Sequence, residues 1–322
     1  MLYTIRHVTK FSYERAISES VMEARMQPRS EGHQRCVRFG LSTTPSSRVR
    51  MYQDHDGNIV HHFDIPGRVS RLTVTAEALV ECRPSPEAAP VLCAGAWDRL
   101  DASTKAGGFW DYLRPSPFAR PTPLLEELAV EMALTRGDDP LLMIRRLSAD
   151  LFQRFEYSPQ STRVDSPIDD ALESRRGVCQ DFAHIMIALV RQLGVPCRYV
   201  SGYLFHPPGR EMRSADGATH AWVEAWFPDL DWVGFDPTNN LMAGDRHVRV
   251  AVGRDYADVP PTRGVFKGIS TVRSELAVAV RVGTAHGSAV SDEVPAFVPW
   301  MSHEAAPPAS DASVSQQQQQ QQ

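Results

Sequence analysis

The chain has 322 residues, 42% of them hydrophobic, and a formal net charge of −5, enough for two domains of roughly 100–200 residues with sizeable cores. No dense Lys/Arg block supplies the electrostatic footprint of a nucleic-acid binder, which argues against that partner. The opening Met1-Leu-Tyr-Thr-Ile-Arg-His7 alternates like a strand instead of running basic then apolar, and no apolar run approaches the ~20 residues of a membrane span; the expectation is a cytoplasmic protein without a membrane partner. Five cysteines, at 36, 82, 93, 179 and 197, are odd in number and lack C-x-x-C spacing, so at least one thiol should be free.

In chain order, short apolar-alternating runs predict strands at 3–11, 20–26, 36–41, 49–52, 59–65 and 72–80, separated by turn signals such as Gln27-Pro28-Arg29-Ser30 and Pro66-Gly67. Strands at this spacing suggest a small antiparallel β-sandwich-like domain over residues 1–90, closed by a Pro/Ala-rich linker from Arg83 to Pro90. Two helices are then expected. Leu124, Leu125, Leu128 and Met132 form one apolar stripe, and Leu141, Ile144, Leu147, Leu151 and Phe155 form a second, with Asp138 or Asp139 as its N-cap before Pro140.

Phe182, Ile185, Met186, Leu189, Val190 and Leu193 predict a further helix, buried on one face, that begins at or near Cys179 and stops at Gly194-Val195-Pro196. Strands follow at 197–205, 220–226, 230–236, 248–252 and 272–282, making residues 91–284 an α+β unit with helices first and sheet second. Beyond Ala285 the chain is small, polar and proline-containing, ends in the glutamine run 316–322, and is expected to be disordered.

The chemistry gathers at Ser174-Arg-Arg-Gly-Val-Cys-Gln-Asp-Phe-Ala-His184, Thr219-His-Ala-Trp-Val-Glu-Ala-Trp226 and Trp232-Val-Gly-Phe-Asp-Pro-Thr238. A thiol at a helix start gains from the positive helix end and its unpaired N–H groups, which lower its pKa and offer oxyanion donors. Gly177 would allow a sharp turn into that helix. A buried apolar role for Cys179 is the competing explanation, and it suits Cys36, Cys82, Cys93 and Cys197 better, since these lie in or beside strand-like stretches. A three-residue loop Phe227-Pro228-Asp229 pairs His220 with Asp236 on one sheet face, Cβ atoms about 4.5–5.5 Å apart, whereas a four-residue loop puts them on opposite faces. With the first register, Cys179, His220 and Asp236 make a nucleophile, base and orienting acid. Asp181 and His184 on the cysteine helix could support the site, though structural roles come first; Trp222 shares the His220 face and could shield it or simply pack. His7, His61 and His62 lack a ligand pattern, and neither metal nor cofactor is expected.

At these motifs the chain resembles the transglutaminase-like superfamily, especially bacterial members with an added β-rich N-terminal region, which residues 3–29 resemble in turn. The resemblance implies a papain-like core, with Cys179 as nucleophile, His220 as base and Asp236 as acid, attacking a carboxamide of a peptide or protein substrate to form a thioester. It implies peptidase or amidase activity, with glutamine crosslinking or a non-enzymatic binding module as alternatives, the latter taking a protein partner through the N-terminal domain. Tyr157 or the Cys179 backbone N–H would replace the oxyanion tryptophan of the animal enzymes. The segment from Gly253 to Pro261 resembles one that follows the aspartate in the bacterial proteins and is expected to loop near the cleft; separately, the loops 207–219 and 253–264 are expected to control how the cleft excludes water.

Overall fold

Alternating burial along Leu2–Ala24 (β1) and Ile59–Cys82 (β4) turns four of the expected strands into two long ones. The two pair antiparallel along their length, and register shifts between Ser12 and Ile17 and between Ile17 and Glu19 bend the pair where turns were expected. Gln34–Thr44 (β2) and Arg50–Gln53 (β3) add to the far side of β4. The structure, a computed structural model, describes residues 1–84, 91–92, 94–163, 165–209, 211–268, 274–285, 298–299 and 313–317. Most of the expected linker, Cys93 and most of the expected disordered tail lie outside the described residues.

The sandwich-like expectation is met by one continuous sheet. Its bend brings Phe11, Leu72 and Val74 from one half against Met22, Phe63 and Phe266 from the other around a shared cluster. The sequence-based division at residue 90 meets a topology that crosses it. Thr262–Lys267 (β12) and Ser274–Thr284 (β13), expected with the second unit, pair antiparallel with the two halves of β1. Within the tail expected to be disordered, Val298–Pro299 pair with β13 and Ser313–Gln317 with β12.

Among the described residues five helices precede Cys179 where two were expected: Ala96–Lys105 (α1), Trp110–Leu113 (α2), Pro123–Glu131 (α3), Pro140–Arg154 (α4) and Ile168–Ser174 (α5). The two expected helices are α3 and α4. Thr122 Oγ1 accepts the Leu125 N–H at 3.2 Å, and Asp139 Oδ1 accepts the Leu142 N–H at 2.8 Å, each satisfying a first-turn donor beside a proline. Cys179–Gln192 (α6) is buried on all sides, with Gln192 its one residue that is not, because α3, α4 and α5 pack on one side and the second sheet on the other.

That sheet is antiparallel, in the order Leu241–Met242 (β10), Asp231–Asp236 (β9), His220–Phe227 (β8), Cys197–Leu204 (β7), His247–Gly253 (β11). Two side-chain amides from the N-terminal region cover the free edge of β11. Gln34 bonds both the N–H and the C=O of Arg249, at 2.7 and 2.8 Å, and Asn58 does the same for Val252, at 2.8 Å each. Each amide thus mimics a neighbouring strand, leaving no bare ladder there.

Candidate active site

Cys179 is the first residue of α6 and 2% exposed. Extended backbone at Val178 aims the chain into the helix, and Asp181 Oδ2 reaches back to accept the Val178 N–H at 2.8 Å and the Thr162 hydroxyl. Burial pushes the Asp181 carboxyl up to about 6, against those hydrogen bonds. Gly177 is needed for a different reason from the expected turn: a Cβ there would sit 2.8 Å from the Asp181 Cβ. Asp181 therefore builds the entry to the helix and does not join the thiol.

His220 opens β8, and its Nε2 lies 2.8 Å from Asp236 Oδ2, with both side chains buried. The β8–β9 register differs from the expected one by two residues. Trp226 pairs with Trp232 and Phe227 with Asp231, around a loop of Pro228, Asp229 and Leu230. A shift of two preserves the face, so His220 and Asp236 project together but diagonally. Burial raises the intrinsic cost of the Asp236 charge, yet His220 and His247 hold the carboxyl well below the usual carboxylate range. Burial likewise disfavours imidazolium at His220, but the Asp236 charge and hydrogen bond, aided by Cys179, push the ring up to about 10. With Asp236 ionised, Nε2 donates to it, and the buried Nδ1, which has no other hydrogen-bond partner among the described residues, stays on the side of the ring not used by Asp236.

Three further residues that sequence reasoning missed, Thr238, Asn239 and His247, complete the surroundings of Asp236. Asn239 donates from Nδ2 to Oδ2 at 2.8 Å, while the Thr238 and Asn239 N–H groups reach Oδ1 at 3.1 and 3.2 Å. The Asp-Pro-Thr-Asn turn carried a legible signal for these, since an aspartate commonly accepts from the backbone two or three residues on. His247, on β11, places Nε2 3.2 Å from the same Oδ2. It stands 11 residues from Asp236 and reaches it only through sheet pairing, so no local pattern exposes it. Donor atoms of His220, Asp236 and His247 lie within 4.8 Å of one another, a set that could also hold a metal ion.

The remaining expected residues divide. Tyr157, in Glu156–Tyr157 (β5), accepts the Ala215 N–H at 3.3 Å, and burial and then the Cys179 charge push its phenol up, keeping the O–H proton in place. Trp222 is 1% exposed, stacks on His220 at 6.1 Å and meets His247 edge-on at 5.2 Å, so it walls both imidazoles. Gly202, opposite His220, makes room for it: a Cβ there would come 2.6 Å from the indole. His184 faces elsewhere. Its Nε2 accepts the Tyr256 N–H at 3.2 Å and its ring stacks on Phe118, which fastens the segment 253–261 to α6; burial lowers its pKa to about 4. The loop before His220 is tied to the acid, because Asn239 Oδ1 accepts the Arg213 and Ser214 N–H groups at 3.0 and 3.1 Å. Beside Tyr157 opens a cavity of about 570 Å³ lined by Phe155, Arg154, Arg175, Arg176 and Arg213.

Known proteins share this architecture. Residues 127–237 match the transglutaminase-like superfamily, and residues 3–81 match the bacterial transglutaminase-like N-terminal region. An uncharacterised protein of Mycobacterium leprae is 34% identical over 265 residues, covering 81% of this chain and 92% of the relative. A protein-glutamine gamma-glutamyltransferase of Pseudomonas aeruginosa is 35% identical over 102 residues, which cover 29% of this chain and 15% of that protein. The solved structure of a Cytophaga hutchinsonii protein, provisionally called a cysteine protease, superposes with a TM-score of 0.68 at 20% identity, covering 92% of this chain and 93% of the other. Among the described residues no helix is long and apolar enough to cross a membrane. The chain belongs to the transglutaminase-like superfamily, as one of its members with the bacterial N-terminal region.

Proposed function

We propose that the protein is a thiol-dependent amidase or peptidase acting on a peptide or protein carboxamide. The observation that carries the reading is the buried 2.8 Å His220–Asp236 pair whose free Nδ1 belongs to the ring that Cys179 acts on from the start of α6. In this reading the Cys179 sulfur attacks the carbonyl carbon, and the oxyanion is met by first-turn N–H groups of α6 and the Tyr157 hydroxyl. His220, holding the thiol proton on Nδ1, gives it to the leaving amine, so the C–N bond breaks and a thioester remains. Water, deprotonated by His220, then releases the acid and restores the thiol. The cavity beside Tyr157 would take the flanking part of the chain.

Hydrolysis is preferred over crosslinking because the loop 213–215 that neighbours the site is pinned by Asn239 and Tyr157 rather than built as an apolar lid against water. A peptide-amide and glutamine-amide library, incubated with and without a primary-amine probe and read by mass spectrometry, is expected to give mainly hydrolysed products. Dominant amine incorporation would convert the reading to crosslinking. No turnover across the panel would favour a binding module that takes a partner through its N-terminal sheet.

A further inference from the structure

Asp236 Oδ2 receives two imidazoles, and only one of them can serve the thiol. His220 keeps its second nitrogen, Nδ1, out of this pairing on a ring that Cys179 acts on, whereas the second nitrogen of His247, Nδ1, accepts the Gly244 backbone N–H at 3.3 Å. A backbone N–H can only donate, so Nδ1 of His247 is the unprotonated nitrogen and Nε2 carries the hydrogen that points at Asp236. Both side chains of this second pair are buried, at 3% and 0% exposure. Burial first, and neighbouring His220 and Arg246, lower the His247 pKa despite Asp236, which agrees with a neutral ring.

We infer that His247 is a positioning residue of the triad, a neutral donor fixed in one tautomer that holds the Asp236 carboxylate ionised and aimed at His220, and that the N-terminal region keeps it in place. The inference rests on the acyl-transfer reading above. Three observations carry it: the 3.2 Å contact to the oxygen shared with His220, the tautomer set by Gly244, and the indole of Trp222 packed against both rings. A carboxylate with donors on both oxygens and three on Oδ2 has little freedom to rotate away from His220. The link to the N-terminal region is β11 itself, since its outer edge is held by Gln34 and Asn58 at Arg249 and Val252, two and five residues beyond His247. This gives the N-terminal sheet a bearing on the chemistry without contributing a reacting group.

The groups that face His247 are Asp236 on β9, His220 on β8 and Arg246 just before β11; Cys179 from α6 acts on His220, and His220 in turn acts on His206 in the loop after β7. The test is the pH dependence of Cys179 alkylation by iodoacetamide, with thermal melting alongside, in the full-length protein and in His247→Leu, His247→Asn and His247→Gln. Leu removes the donor, and Asn keeps polarity near Nδ1 but loses the donor at Nε2. Gln can restore an N–H at that distance. Loss of the donor should loosen the His220–Asp236 pair and slow labelling of Cys179 about ten-fold at pH 6, with the difference shrinking as pH rises. The Gln variant should stay within about three-fold of the parent. Parent-like profiles for folded Leu or Asn variants would overturn the inference. So would equal losses in all three variants that follow only their melting temperatures. Stoichiometric zinc retained by the parent and lost in the variants would reassign the three groups to a metal. Unselective alkylation of the parent itself would defeat the acyl-transfer reading, and this inference with it.

Discussion

His220→Ala is expected to slow hydrolysis of a responsive peptide amide by ~10²–10⁴-fold, with Asp236→Asn close behind and Cys179→Ala leaving no thioester chemistry. In the proposed mechanism the ring takes the thiol proton and returns it to the leaving amine through Nδ1, since Nε2 is committed to Asp236. An asparagine at 236 would withdraw the charge that keeps His220 protonated in a buried setting, where burial alone favours the neutral ring. Rates with the library's best substrate, together with circular dichroism to show that each variant is folded, check this. A His220→Ala enzyme that turns over within a few-fold of the parent would remove the base from the account.

The largest expected loss of stability lies away from the thiol, at Glu224. Its carboxylate is 0% exposed and accepts from Arg198 Nε and Nη2 at 2.9 and 2.7 Å and from Arg249, which also pairs with Glu31 at 3.3 Å. Arg198 lies opposite Glu224 in the β7–β8 ladder, and its guanidinium covers the Trp232 ring at 4.1 Å. Glu224→Leu would leave the Arg198 charge buried without its partner, costing about 3–5 kcal/mol. The partial exposure of Arg249, 28% for its side chain, moves the expectation toward the lower end. Arg176→Ala is the control, since Arg176 and Glu156 are 54% and 63% exposed and such pairs contribute about 0–1 kcal/mol. Urea unfolding with an unchanged slope would measure both. A Glu224→Leu midpoint equal to that of Arg176→Ala would show that the buried network adds nothing.

What was legible in the sequence was local. The stripe from Leu141 to Leu151 and the cap at Asp139 define α4, and the run from Phe182 to Val190 defines α6, because periodicity and capping act within a few residues. The face shared by His220 and Asp236 follows from strand alternation, which survives any even slip; the loop keeps its three residues but sits one position further along the chain, with Asp231 at φ 60° just after it, and that displacement sets the two-residue slip. Long-range pairing was hidden. Pro66-Gly67 reads as a turn, yet β4 bends through it because β1 pairs on both sides, and Glu19 still meets Pro66. The return of β12 and β13 to β1, and of His247 to Asp236, depends on contacts more than 200 residues apart in one case and on sheet order in the other. The three residues of the proposed triad could be singled out because each sits at the start or end of an element that local rules do define.

The most direct measurement is the order in which the thiols react. At pH 6 an ordinary thiol of pKa ~8.5 is less than about 1% ionised, and burial pushes Cys36, Cys82 and Cys197 further up. Cys179 is more buried than the partly exposed Cys36, so accessibility alone predicts that Cys36 reacts first. Pairing with a His220 ring held as imidazolium by Asp236 predicts the reverse. Peptide mapping of partially iodoacetamide-labelled protein at pH 6 should find Cys179 modified roughly 10²-fold faster than the other thiols, an advantage lost in His220→Ala. Cys36 labelled first, with Cys179 no faster than Cys197, would contradict the assignment of Cys179 as the nucleophile.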